Sequence, residues 1–284
     1  MILAGIAALI IRGPNYGIDF SGGVLMQVSF AQSVNMDDVR SALMTDGMGK
    51  VELQSSRNSV IIRAKQLGIN EKEFSKKVTV LLEKRFPKNT LTIDRVEYVG
   101  PAVGKHLGKQ AFYAMIFSFI GIIIYVAFRF HSSTWGVAGV IGIMHDVFIV
   151  FGIFVILNRE INLTVIAAFL ALAGYSINDT IVIFDRIREN LRLLSKEDFG
   201  SVINRSVNDT LSRTIITNGT VFFVVAALYF LGGEVINDFA FAMLIGSFVG
   251  TYSSIYVCSS LVFEWEQRKK RRVQAFAKMP KVIK

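Results

Sequence analysis

The chain has 284 residues, 52% of them apolar and only 19% charged, with 31 basic against 22 acidic side chains. Disorder needs low hydrophobicity and high charge, so it is excluded, and the charged share falls below the rough quarter usual in soluble globules. The formal charge of +9 suggests nucleic acid, but binders of nucleic acid are not this apolar, and the single cysteine, Cys258, excludes a disulfide framework and any multi-cysteine metal site.

In chain order, Ile2–Ile11 is apolar but shorter than the roughly 17–25 residues that cross about 30 Å of hydrocarbon. It lacks the basic start and small-residue cleavage site of a signal peptide. We expect it to be the outer end of a first span whose beginning lies outside this sequence.

A polar stretch follows from Arg12 to Ala111. Val24–Phe30 alternates and is rich in strand formers, and Met36–Met44 has helical spacing behind Asn35, a capping residue type. Val51–Ser55 and Ser59–Ala64 flank Ser56-Arg57-Asn58 as a hairpin. Asn70 can cap a helix over Glu71–Phe86, which places Phe74, Val78, Leu81 and Leu82 on one face and is stopped by Pro87. Leu91–Val99 reads as a last strand. The order βαββαβ is that of a ferredoxin-like split βαβ unit.

Five apolar runs are then long enough to cross a bilayer: Phe112–Phe128, Gly136–Leu157, Leu163–Phe184, Ile215–Leu231 and Phe239–Phe263. Orientation follows from the basic residues of short loops. Arg268 to Arg272 form one basic block, which puts the carboxyl tail in the cytoplasm. Residues Trp265–Lys284 alone carry eight basic side chains against Glu266, so most of the +9 is this tail, suited to anionic headgroups. Counting back, the loop 232–238 is outside and acidic, Asp185–Thr214 inside and basic, Asn158–Asn162 outside and neutral, and Arg129–Trp135 inside. The result is six spans, the first truncated, with both ends cytoplasmic and 12–111 outside. The expected organisation is 1–11 partial first span, 12–111 outer ferredoxin-like domain with connectors, 112–264 five-helix membrane domain, and 265–284 basic tail. Asp185–Leu194 adds an interfacial helix.

Several polar motifs stand out. Tyr16–Gly23 reads Y-G-I-D-F-S-G-G, with Gly17, Gly22 and Gly23 permitting unusual backbone angles and Asp19 able to bond neighbouring amides; a structural hinge is expected there. Val99–Lys105 is a connector without the glycine spacing of a phosphate loop. His145 and Asp146 lie near the middle of a span, where an ionisable group costs roughly 2.5–3.5 kcal/mol, so they are either functional or hydrogen-bonded between helices. Three histidines on separate elements do not make a metal site.

Asn178-Asp179-Thr180 is the sharpest signal. Asp179 lies inside a span, with Tyr175 and Ser176 on the same helical side, and Arg213 stands at the cytoplasmic entrance of the next span. Two readings compete. A separable Asp179–Arg213 pair switches the carboxyl between charged and protonated forms, the chemistry of a proton relay. Alternatively, Arg213 pairs with Asp209 on its own helix and snorkels to the interface.

Together these motifs resemble the SecF family. They are Tyr16–Gly23, Val99–Leu107 as V-G-P-A-V-G-K-H-L, Gly174–Asn190 as G-Y-S-I-N-D-T-I-V-I-F-D-R-I-R-E-N, and Ser212–Asn218 as S-R-T-I-I-T-N. SecF is the smaller half of the bacterial SecDF protein-export complex, in the resistance–nodulation–division superfamily. The resemblance implies a non-enzymatic inner-membrane subunit without a cofactor that pairs with SecD beside the SecYEG channel. Such a complex uses the proton gradient to help draw preproteins outward. It assigns the proton relay to Asp179 and Arg213. Two other classes stay open, half of a proton-driven exporter of small molecules or lipids and a non-transporting channel assembly factor.

Overall fold

A computed structural model describes residues 2–44, 51–56, 59–65, 71–130, 133–194 and 196–277. The chain divides into two compact units. The unit expected on the outer side comprises Asn15–Ala114 with Glu160–Leu163, and a helical unit comprises Met1–Pro14, Met115–Arg159 and Thr164–Lys284. In chain order the elements are α1 (Ile2–Arg12), β1 (Asn15–Tyr16), α2 (Ile18–Ser21), β2 (Gly23–Phe30), α3 (Met36–Met44), β3 (Val51–Ser56), β4 (Ser59–Lys65), α4 (Glu71–Arg85) and β5 (Leu91–Val99). There follow α5 (Pro101–Phe130), α6 (Ser133–Ile156), β6 (Glu160–Ile161), α7 (Leu163–Leu193), α8 (Phe199–Leu231), α9 (Glu234–Tyr252), a π-helical segment (Ser253–Cys258) and α10 (Ser259–Ala277).

In the outer unit, strand alternation puts one side of each pleated strand into a core. The antiparallel sheet has the order β3-β4-β2-β5, with Val24 opposite Ala64, Met26 opposite Ile62 and Val28 opposite Val60. These residues pack with Val39 and Leu43 of α3 and with Phe74, Val78 and Leu82 of α4, which recur one turn apart and are fully buried. Burying each such side chain contributes about 1.5–3 kcal/mol. The Asn35 carboxamide accepts from the Asp37 amide at 3.0 Å, capping α3. Asn70 and the hairpin tip 57–58 lie outside the described residues. α4 stops at Arg85, two residues before Pro87.

In the helical unit, α5, α6, α7 and α8 are each long and apolar enough to cross a membrane, as is the continuous rod from α9 through the π segment into α10. The shorter apolar α1 packs on α6 where Gly5 meets Gly152; a Cβ on Gly5 would lie 2.9 Å from Gly152 Cα. The helices overrun the apolar runs. α5 starts at Pro101, ahead of Phe112, α8 starts at Phe199, ahead of Ile215, and Asp185–Leu194 is the end of α7 rather than a separate helix. The backbone ladder needs no apolar side chains, so hydropathy marks only the part of each helix suited to hydrocarbon. Trp135 is buried edge-on against Phe184 at 5.4 Å between ring centroids.

Candidate functional site

Two buried acids organise the helical unit. Asp179 on α7 is 6% exposed, and its Oδ2 accepts from Asn218 Nδ2 of α8 at 2.6 Å. The same amide nitrogen reaches Thr251 Oγ1 of α9 at 2.6 Å, and the Tyr175 hydroxyl donates to Asn218 Oδ1. Asn218 therefore ties three helices together through one carboxamide. Its amide can serve several partners at once because it has two donors and an acceptor.

Asp146 on α6 is fully buried. Its Oδ2 accepts from Ser176 Oγ of α7 at 2.5 Å and from Ser253 Oγ at 2.7 Å, while Oδ1 lies 2.9 Å from His145 Nδ1. Ser253 opens the π-helical segment, a local widening of the helix that often accompanies functional side chains. A Cβ on Gly250 would lie 3.5 Å from Ser176 Cβ and 3.7 Å from Asp146 Oδ2, so the α9 backbone passes close to both. Cys258, at the end of the π segment, is packing: a Cβ on Gly142 would lie 2.2 Å from its sulfur.

The expected polar side of α7 thus serves two centres. Tyr175 and Asp179 go to Asn218, whereas Ser176 goes to Asp146. Asn178 is exposed and lies away from both. Arg213 is exposed on α8 and within electrostatic reach of Asp179. Among the described residues no ion pair joins it to Asp179 or to Asp209. Asp209 instead accepts from Arg186 at 2.7 Å and from Asn190 at 3.2 Å. Sequence reasoning did not single out Asn218, Thr251 or Ser253. The available signal was a polar residue at each of three positions inside otherwise apolar runs. Chemically, a buried carboxyl contacted by neutral donors can gain or lose a proton without breaking a direct ion pair. Among the described residues no group of three or more side chains fit to hold a metal occurs.

The segment Tyr16–Gly23 is a third centre, inside the outer unit. Where a hinge was expected there is one turn of helix, α2, gripped on all sides. β1 pairs parallel with β6, Asn15 opposite Glu160 and Tyr16 opposite Ile161, and Gly17 N–H donates to Ile161 O at 2.9 Å. Asp19 Oδ2 accepts from the Leu163 amide at 2.9 Å, at the N-terminus of α7. Gly22 and Gly23 have φ of 70° and 148°, which L side chains resist. A Cβ on Gly22 would lie 2.8 Å from Pro101 Cα, and one on Gly23 only 2.3 Å from Ala64 O. The motif therefore gathers the connections that lead to α5 and α7.

These features define a multi-helix membrane protein of a recognisable kind. The profile of the family described as "Protein export membrane protein SecD/SecF, C-terminal" matches residues 78–268, and that of the "SecD/SecF GG Motif" matches residues 7–34. The chain is 50% identical over 275 residues to the "Protein translocase subunit SecF" of Endomicrobium trichonymphae, covering 96% of this chain and 89% of that one. It is 40% identical to the "Protein translocase subunit SecDF" of Thermus thermophilus, over 95% of this chain and 37% of that one. A crystal structure of Thermus SecDF, described as a translocon-associated membrane protein, superposes with a TM-score of 0.83 at 39% identity, covering 94% of this chain and 36% of that chain. The chain belongs to the SecF family.

Proposed function

We propose that this protein is the SecF-like subunit of a proton-gradient-driven export complex, paired with SecD and acting beside the SecYEG channel on preproteins in the bacterial inner membrane. The observation that carries the reading is Asp179, a buried acid inside a helix fit to span the membrane, held by the neutral Asn218 carboxamide. In this reading α1 is the outer end of a sixth span, and the strand order β3-β4-β2-β5 is that of a ferredoxin-like outer domain. The acidic 232–238 loop and basic tail support a periplasmic outer domain and a cytoplasmic carboxyl end. The apolar residues that α5 and α8 leave exposed, Ile124 on the one and Ile216 and Phe223 on the other, suit lipid or the helices of a partner. The single-chain Thermus SecDF, of which this chain matches about a third, supports SecD as the partner.

Proton entry neutralises Asp179 and weakens the charge-assisted bond from Asn218, which loosens the tie among α7, α8 and α9. Moving one charge through 100 mV supplies about 2.3 kcal/mol, enough to bias a two-state helix packing. The test uses vesicles containing this chain, SecD and the channel. Asp179→Asn and Arg213→Met are each expected to abolish gradient-dependent export stimulation while the partner still co-purifies. Full stimulation in either variant overturns the relay. Absence of proton flux in the parent complex favours an assembly factor, and crosslinks from the outer unit to an emerging preprotein count against small-molecule efflux.

A further inference from the structure

The loop between α6 and α7 carries two adjacent opposite charges, Arg159 and Glu160, each engaged elsewhere. Arg159 belongs to the helical unit, 3.1 Å from Asp238 and with its guanidinium 3.9 Å from the Phe241 ring centroid. Glu160 belongs to the outer unit, where its Oε2 lies 2.7 Å from Arg63 Nε, both side chains almost fully buried. Arg63 sits on β4, hydrogen-bonded on one side to β2 and on the other to β3, on the sheet face opposite the Val60–Ile62–Ala64 core side. Its NH1 donates to Gln54 Oε1 at 2.7 Å, so the guanidinium is held at two points. Two residues on, and therefore on the same face, Lys65 Nζ donates to Asn15 Oδ1 of β1 at 2.8 Å. With Asp19 on the Leu163 amide, β4 and α2 clamp the β1–β6 ribbon from which α7 emerges.

We propose that Arg63 and Glu160, with Asp19, are the residues that transmit displacement of α7 to the outer unit; this rests on the relay assigned to Asp179. Glu160 lies three residues before the first residue of α7, and Asp179 lies about 24 Å along the same helix at 1.5 Å per residue. A helix is stiff along its axis, so a shift set at Asp179 arrives at its first turn. There Glu160 passes it through Arg63 to a strand in the middle of a sheet, and Asp19 passes it to α2. A buried ion pair is a weak device for stability, since well-packed apolar residues do as well. Its distinguishing property is fixed geometry, which a transmitting contact needs and a filler does not.

Vesicles containing the full chain, SecD and the channel are assayed for partner co-purification, proton uptake under an imposed gradient, and gradient-dependent export. Glu160→Gln and Arg63→Gln are expected to keep proton uptake within about twofold of the parent and to lower export stimulation about fivefold or more. The double variant Arg63→Met/Glu160→Met, which leaves no lone buried charge, is expected to be uncoupled in the same way. Parental export in that variant overturns the proposal, as does loss of proton uptake together with export in an assembled complex. Failure of even the double variant to accumulate makes the contact a folding element and overturns it too. Asp179→Asn in the same assay separates the two ideas. Proton uptake that is insensitive to Asp179 removes the relay itself, whereas an intact relay with coupled Glu160 variants removes only the transmission.

Discussion

Glu160 and Asp179 are both buried carboxyls, 8% and 6% exposed, yet their surroundings are opposite. Glu160 faces a guanidinium at 2.7 Å that is itself anchored to Gln54. Asp179 faces a carboxamide at 2.6 Å and, among the described residues, makes no ion pair. A direct guanidinium favours one protonation state and one geometry. A neutral donor tolerates either state at smaller cost. The difference teaches that burial alone does not say what a carboxyl can do: the partner decides whether one protonation state is held or both are tolerated. Asp146 likewise has two hydroxyls and the His145 ring around its carboxyl rather than a guanidinium.

Several substitutions sharpen or break that contrast. The largest effect is expected at the frame of the fixed site. Gly23→Ala forces a side chain into φ 148° with its Cβ 2.3 Å from Ala64 O. It is expected to cost about 3 kcal/mol or more in thermal unfolding of the detergent-solubilised chain; parental stability contradicts the rigid junction. At Asp179, Asn218→Leu removes the donor that holds the carboxyl. A hydrogen bond to a charged group is worth about 1.5–3 kcal/mol, so gradient-dependent export is expected to fall about tenfold or more. A variant within twofold of the parent would remove Asn218 from the mechanism. Ser253→Ala deletes one of two hydroxyls on Asp146 and is expected to cost about 1–2 kcal/mol of stability, read by the same melting assay. A larger loss of export than of stability would draw Asp146 into the relay.

The smallest effect belongs to an exposed acid. Asp198 caps α8, accepting from the Gly200 and Ser201 amides at 2.9 and 3.2 Å and from the Ser201 hydroxyl. The hydroxyl first, and the amides with it, hold its carboxyl below the ordinary range. A lowered folded value means that the cap stabilises fully above the unfolded value of about 3.9 and is lost as pH falls through the lower folded one. Asp198→Ala is therefore expected to melt slightly below the parent at pH 7, with the two curves converging in strong acid. A gap that is constant with pH would rule out the charged cap.

Much of the fold was legible because its causes are local. The alternation in Val24–Phe30, the Phe74-Val78-Leu82 stripe and the apolar runs each report on a local pattern, and each falls within a strand or helix of the structure. Helix ends were less legible. Hydropathy responds to side chains while the backbone ladder runs on, as at Pro101, Phe199 and the end of α7. The π segment left no trace in the residue pattern.

The sequence by itself determined the membrane character, the positions of the buried acids and the glycine-rich motif, because composition, period and special backbone needs are written residue by residue. Tertiary structure alone decided the partners. Tyr175, Ser176 and Asp179 share a side of α7, but at about 100° per residue Ser176 and Asp179 are turned about 60° apart, so Ser176 reaches Asp146 on α6 while Asp179 reaches Asn218 on α8. Arg186, not Arg213, took Asp209. Asp19, a glycine-loop acid expected to serve its own neighbours, caps a helix whose first residue is Leu163. Such choices depend on how helices and strands are rotated against one another, and no local pattern carries that information.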